Sequence, residues 1–484
     1  MPVSFLRDAG IATTWHNRKD SRGNFPFFDN FLSVPRCFLF HFRQFPVQWK
    51  LRNSRTSATL CVQNYQKERI KVPFLRNIKY FCDVKEYRKK YTFRLFLAIV
   101  LLLCGANSTF GQESAEAMDS VEISLLTCSP HDAIYSLYGH SAVRYHDLRT
   151  GEDLVFNYGV FNYRVRFFVL KFMLGKTDYE LGVCPFSRFS AEYEHFGSQV
   201  QEQVINLSAE EKLRLKYLLA ENYLPQNRVY RYNIFYDNCS IRARNIILKS
   251  IQGKVEFHER DDYNPSFRDI LHAYTADHPW VMFGDDICLG INADKKIGRE
   301  LQEFLPDNLM YGFSTATIYE AGFRPFVKET RTVVKPGVQI IERGFPFTPK
   351  ECAIGLLLLT AILASFEVRY RKLFYVADAV WLLLFGICGM LLTVLAFSEH
   401  PATTLNLQLL VFNPLFLFVL VRTARRMRQH RKDNFWKWLI LLVALFLVGR
   451  TVQHYAEGMM VLACCLLFRS VTHLYLEKKL DYRE

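Results

Sequence analysis

The sequence predicts an α+β water-facing domain followed by an all-α membrane domain of about five helices. Three observations lead there. Strand-like alternation of apolar residues starts near residue 121, helix-start signals are interleaved with it, and from Cys352 onward the chain turns apolar in blocks separated by basic loops.

The 484 residues carry a formal net charge of +14, but residues 1–94 alone hold 19 Lys/Arg against 6 Asp/Glu. The remainder is almost neutral and offers no broad basic surface, so nucleic acid is not an expected partner. Residues 1–83 show neither a helical nor a strand period. After them come a basic stretch (Val84–Lys90), an apolar stretch (Leu95–Leu103) and a small polar stretch (Gly105–Ser108), the pattern of a signal peptide over 84–112. Such a signal belongs at a chain's start, and no Met lies between Met1 and Met118. Translation is therefore expected to begin at a non-Met codon near Val84; the alternative is a cytoplasmic extension ahead of a signal anchor. Leu103 is too bulky to precede a lipoprotein cleavage site at Cys104.

Residues 113–348 are expected to form the exported domain. Val121–Thr127 alternates as a half-buried strand, and His140–His146 with Leu154–Tyr158 reads as a hairpin across a polar turn. Phe167–Leu174 is a strongly apolar helix stopped by Gly175 and reads first as an ordinary core helix. Ser208-Ala209-Glu210-Glu211 is a capping box opening a helix to about Asn222, and another helix begins after Asp237-Asn238.

Residues 349–470 are expected to span the membrane at about 350–367, 374–397, 404–421, 436–453 and 456–470, with a cytoplasmic tail over 471–484. With the preceding domain outside, Arg369, Arg371 and Lys372, then the cluster from Arg422 to Lys432, then Lys478, Lys479 and Arg483 all fall inside, as loop charges should. Trp381, Trp436 and Trp438 are expected as interfacial anchors, and His400 and His454 as solvated residues on the outer side.

Two short motifs carry possible chemistry, Tyr138-Gly139-His140-Ser141 at the start of a strand and Tyr236-Asp237-Asn238-Cys239-Ser240 at the start of a helix. A thiol at a helix N-terminus faces unpaired N–H groups and the positive dipole end, which favour thiolate and can hold an oxyanion. His140 would act as its base, oriented by Asn157 or, less favourably, His146. The bland reading is a disulfide or a buried thiol, for which Cys128, Cys184 and Cys288 are possible partners of Cys239. His195, His258, His272 and His278 are scattered without metal-ligand spacing, and phosphate-binding Gly-rich loops are absent, so neither metal nor cofactor is expected.

Gly139–Arg144, Phe156-Asn157-Tyr158-Gly159, Asn233–Cys239 and the five-span C-terminus together resemble the Bacteroidota-type lipoprotein N-acyltransferase family, Lnb, over roughly residues 113–470. The resemblance implies a permuted papain-like thiol domain with the His strand ahead of the Cys helix. It implies Cys239, His140 and Asn157 as catalytic residues, with Tyr138, Asn238 and Tyr158 beside them expected to bind substrate. The implied partners are a membrane phospholipid as acyl donor and a lipoprotein as acceptor, at a bacterial inner membrane with the thiol in the periplasm. Two other classes stay open: a membrane-anchored thiol peptidase or amidase acting on cell-wall peptides, and a non-catalytic receptor or assembly factor.

Overall fold

The computed structural model describes residues 115–131, 136–320, 322–339 and 344–483. The expected signal peptide, Cys104 and the segment before them lie outside the described residues.

Strands β1 (Val121–Cys128), β2 (His140–Asp147) and β3 (Glu152–Val160) stand where the alternation predicts them. With β4 (Asp178–Pro185), β5 (Val200–Ile205), β6 (Val229–Arg231) and an eight-residue strand that closes the far edge, β10 (Val327–Val334), they form one antiparallel sheet in the order β10-β5-β1-β2-β3-β4-β6. A small second sheet holds β7 (Lys254–Glu256), β8 (Thr317–Glu320) and β9 (Gly322–Pro325). Between β3 and β4 lies the short helix α1 (Phe168–Met173); α2 (Phe186–His195) follows β4 and α3 (Ala209–Tyr223) follows β5. Helix α3 opens on the expected capping box: Ser208 Oγ accepts from Glu211 N at 3.3 Å and Glu211 returns the bond to Ser208 N at 2.8 Å. Next come α4 (Cys239–Ser250), α5 (Phe267–Thr275), α6 (Pro279–Cys288) and α7 (Pro306–Thr315).

The strand period decides what each sheet face buries. Ile123 and Leu125, Val143 and Tyr145, and Leu154, Phe156 and Tyr158 share one face with Leu215 and Leu219 of α3 and Ala243 and Ile247 of α4. Leu126, Cys128, Ala142 and Val155 point the other way, against Phe189 of α2. A ladder of charge crosses the strands: Arg144 reaches Asp153 and Glu202, and Glu202 is shared with Arg331, which also holds Glu122. Each side chain in that ladder has its opposite within reach, so its burial is compensated.

The membrane half consists of α8 (Pro349–Tyr370), α9 (Tyr375–Leu395), α10 (Leu415–Arg428), α11 (Phe435–Gly449) and α12 (Met459–Lys479). Among the described residues four segments are long and apolar enough to cross a bilayer, and α11 is a shorter apolar helix. Two spans differ from expectation. The third is not one helix: 3-10 turns at Pro401–Thr403 and Leu407–Leu410 precede α10, because Pro401 and Pro414 interrupt regular pairing. That irregular backbone is tolerated because protein covers it; Gln453 Oε1 accepts from Leu407 N at 2.7 Å, and Gln408 Nε2 donates to Asp286 O at 2.8 Å. The fifth span runs well past Ser470, since its polar residues have internal partners. Arg469 pairs with Glu367 of α8 and Asp378 of α9, and His473 Nε2 lies 2.9 Å from Asp378. Trp436, expected at the interface, is buried with its ring stacked 3.7 Å from that of His473; Trp438 is the exposed one.

The two halves meet through polar backbone contacts as well as packing. Asn406 Nδ2 donates to Ile287 O, Gln453 Nε2 to Leu289 O, and Gly290 N to Ala402 O. Phe283, Ile287 and Cys288 of α6 pack on the membrane-helix core.

The Arg469 cluster predicts a stability effect. Arg469→Met strands two buried carboxylates and should cost about 3–5 kcal/mol, read as a lower unfolding midpoint of the detergent-purified full chain. Adding Glu367→Gln and Asp378→Asn should restore most of the loss.

Candidate functional site

Helix α4 starts at Cys239 because Asn238 caps it. The Asn238 side chain accepts from Ile241 N at 3.1 Å and donates to Ile234 O and Phe304 O at 2.8 and 2.7 Å. Arg242, one turn on, is held by both oxygens of Asp237 and lies 3.6 Å over the Tyr230 ring. These bonds fix the thiol at the first helical position, where the leading N–H groups have no intrahelical acceptor.

The sheet opens to receive it. Strands β2 and β3 pair from Asp147/Glu152 only as far as Val143/Phe156, so His140–Ala142 and Asn157–Val160 diverge. A register shift between Tyr158 and Val160 places Gly159 at φ 110°, a conformation that needs glycine. A Cβ there would lie 3.6 Å from His140 Cε1 and 3.9 Å from Cys239 Cβ, so Gly159 forms a bare backbone floor touching both residues.

His140 Nε2 donates to Asn157 Oδ1 at 2.7 Å, which leaves Nδ1 for the hydrogen bond to the Cys239 thiol. The sulfur also receives the Ser141 N–H and the Ser240 hydroxyl, and Ser240 Oγ is 3.0 Å from Ser141 Oγ. Burial works against a thiolate here, but the charge and hydrogen bond of His140, with the Ser141 and Ser240 donors, outweigh it and hold Cys239 below the ordinary thiol range. The partner shift is reciprocal: burial opposes the imidazolium, while the Cys239 sulfur and Asn157 raise His140 above its usual value. Such a pair favours thiolate and imidazolium together, a nucleophile with its proton carrier attached.

Sequence reasoning missed Glu192 on α2, whose charge also favours the His140 cation. It follows no motif and reaches His140 only through the packing of α2 on the sheet.

The other expected site residues have different places. Tyr158 is buried in the core, and its hydroxyl donates to Asn222 Oδ1 at 2.6 Å. Asn238 spends its amide on the cap. Tyr138 donates its hydroxyl to Asp285 of α6, whose carboxyl burial pushes up to about 6. His146 stands at the opposite end of β2, paired in register with Asp153. The eight cysteines among the described residues are all free, Cys128, Cys184, Cys239 and Cys288 included.

One histidine cluster was not visible in spacing. His272, Asp286 and His454 offer ligand atoms all within 4.8 Å of one another. Asp286 Oδ1, however, already accepts from both His272 and Arg268, and Arg268 continues to Asp294. A cation there would sit against a guanidinium, so the cluster reads as an ion network at the junction of the two halves.

Comparison with known proteins fits this order of parts. A family model for the Lnb N-terminal periplasmic domain matches residues 112–273, and one for the Lnb transmembrane domain matches residues 340–480. No curated protein and no solved structure matches the chain. The chain is thus a membrane protein with a periplasmic domain. With both domain types present in that order and together covering more than half of its length, it belongs to the Lnb family.

Proposed function

We propose that the protein is a lipoprotein N-acyltransferase of the bacterial inner membrane. The observation that carries this reading is Cys239 at the start of α4, hydrogen-bonded to His140, with Asn157 holding the imidazole. The Cys239 thiolate attacks an ester carbonyl of a membrane phospholipid. An S–C bond forms, the C–O bond breaks, and the His140 imidazolium protonates the departing glycerol oxygen, releasing a lysophospholipid. The α-amine of a diacylglyceryl-cysteine lipoprotein then attacks the thioester carbonyl. A C–N bond forms, the C–S bond breaks, and His140 takes the amine proton, restoring the starting pair. Backbone N–H groups at the N-terminus of α4, ahead of the Ile241 N–H that Asn238 caps, would hold the oxyanion that develops beside the sulfur. Neither step calls for a cofactor. Tethering matters because both substrates live in the bilayer, so an anchored thiol meets them at high effective concentration.

Mass spectrometry of a lipoprotein's N-terminal peptide tests the reading. Cells relying on this protein should show N-acylated peptide, and Cys239→Ala should abolish it. His140→Ala should lower the rate by about 10²–10⁴-fold. Persistent N-acylation with Cys239→Ala would overturn the mechanism, and release of a cell-wall peptide fragment in its place would favour a thiol amidase.

The thiol's electrostatics give a second test. Alkylation of Cys239 by iodoacetamide, followed at the peptide level, should reach its plateau below the pH at which a free thiol does. In His140→Ala the favourable charge is gone while burial remains, so the inflection should move up.

Asn157 acts through His140 and should behave as a positioning residue. Asn157→Ala should cut the acylation rate about a hundredfold by loosening the ring, whereas Asn157→Asp, which keeps an acceptor, should retain most of it.

A further inference from the structure

The acyl-transfer reading leaves open how a chain buried in the bilayer reaches a thiol in the water-facing domain. Helix α1 and its approach supply a route. The helix is docked at the outer end of the second span: Ser398 Oγ donates to Met173 O at 2.7 Å, Glu399 N to Leu174 O at 3.0 Å, and His400 Nε2 to Phe172 O at 3.2 Å. Span α9 ends at Leu395, only a few residues earlier, so α1 lies at the level where hydrocarbon gives way to headgroups.

The outward face of this segment is wrong for water. Phe167 is 62% exposed and Val169 66%, with Val165 and Leu170 exposed beside them. Phe167 also holds φ 60°, ψ 35°, a left-handed backbone that a bulky residue adopts only under strain. Arg164, Arg166, Lys171 and Lys176 are exposed around this patch, the arrangement that suits anionic headgroups.

The inward face is a continuous aromatic wall. Phe161, two residues beyond the Gly159 floor, stacks on Phe168 at 5.4 Å and on Tyr179 at 4.9 Å. Tyr179 stacks on Tyr232 at 4.1 Å, Tyr232 faces Phe172 at 6.1 Å, and Phe172 meets the His400 ring at 6.5 Å. Phe161, Phe168, Phe172 and Tyr232 are all partly exposed, with Tyr179 buried behind them. Two buried polar atoms without a hydrogen-bond partner mark its ends: the Tyr230 hydroxyl, within electrostatic reach of Cys239, and His400 Nδ1 beside Phe172.

We propose that α1 inserts its outward face into the outer leaflet and that its inward wall, from Phe172 to Phe161, carries one acyl chain of a bilayer phospholipid to Cys239. This proposal rests on the acyl-transfer reading. The wall is apolar where a methylene chain runs, and it turns polar at the Tyr230 end, where the ester carbonyl arrives.

The test uses the full chain in liposomes and p-nitrophenyl esters with 2- and 12-carbon acyl groups, following nitrophenolate release and the intact mass of acylated protein. In the wild type the dodecanoyl ester should acylate Cys239 faster than the acetyl ester. Phe161→Ser and Phe172→Ser should each lower the dodecanoyl-to-acetyl rate ratio about tenfold, and Phe172→Leu should lower it less. Ratios equal to that of the wild type in both serine variants would overturn the route. A normal ratio change in a protein that never transfers the chain to a lipoprotein amine would sink the transferase reading and leave the route standing. Absence of acylation at Cys239 by either ester would overturn both.

Discussion

The buried side chain of Asn238 is the contact on which the site's geometry depends. Its oxygen caps α4, and its amide nitrogen ties the preceding loop to Phe304, far away in sequence. Without that triple anchorage the first turn would fray, since a helix end with unpaired N–H groups needs an acceptor. The thiol's position relative to His140 would then be a matter of loop conformation. A small polar residue thus sets both the direction of the helix dipole at the sulfur and the depth to which the helix enters the divided strands.

The junction between the two halves works on a similar principle at larger scale. An apolar contact alone would let the water-facing domain rock on the helices, because packing is not directional. Gln408, Asn406 and Gln453 add directional bonds to the backbone of Asp286–Leu289, and Arg268 binds the same segment from the other side. On the opposite flank, the 398–400 segment grips the end of α1. Two separate attachments resist rotation in a way that one cannot, and the broken start of the third span supplies Asn406 and Gln408 to the first of them.

How much of this was legible in the sequence depended on the range of the interactions. Strand starts, the capping box at Ser208 and the start of α4 are local, so the residues near them suffice. The proximity of His140, Cys239 and Asn157 was reachable because each stands at the start or edge of a regular element. The core position of Tyr158 had a signal in the sequence: it shares strand parity with Leu154 and Phe156, which face the core. The role of Tyr138 was not legible, since its partner Asp285 is 147 residues away. The same is true of the fifth span, which looked as if it ended at Ser470. Its polar residues are satisfied by α8 and α9, and nothing nearby in the chain announces that.

The free cysteines have a consequence for survival in an oxidising space. Thiol–disulfide exchange needs a thiolate, and a neutral buried thiol is a poor attacker. Burial pushes the thiols of Cys128 and Cys184 up, the latter to about 11, and that of Cys288 to about 12. Cys239 alone among these four is biased toward the anion. The fold therefore isolates one reactive sulfur among chemically silent neighbours. None of these three neighbours offers a thiolate, so exchange that would tie up Cys239 within the fold is slow.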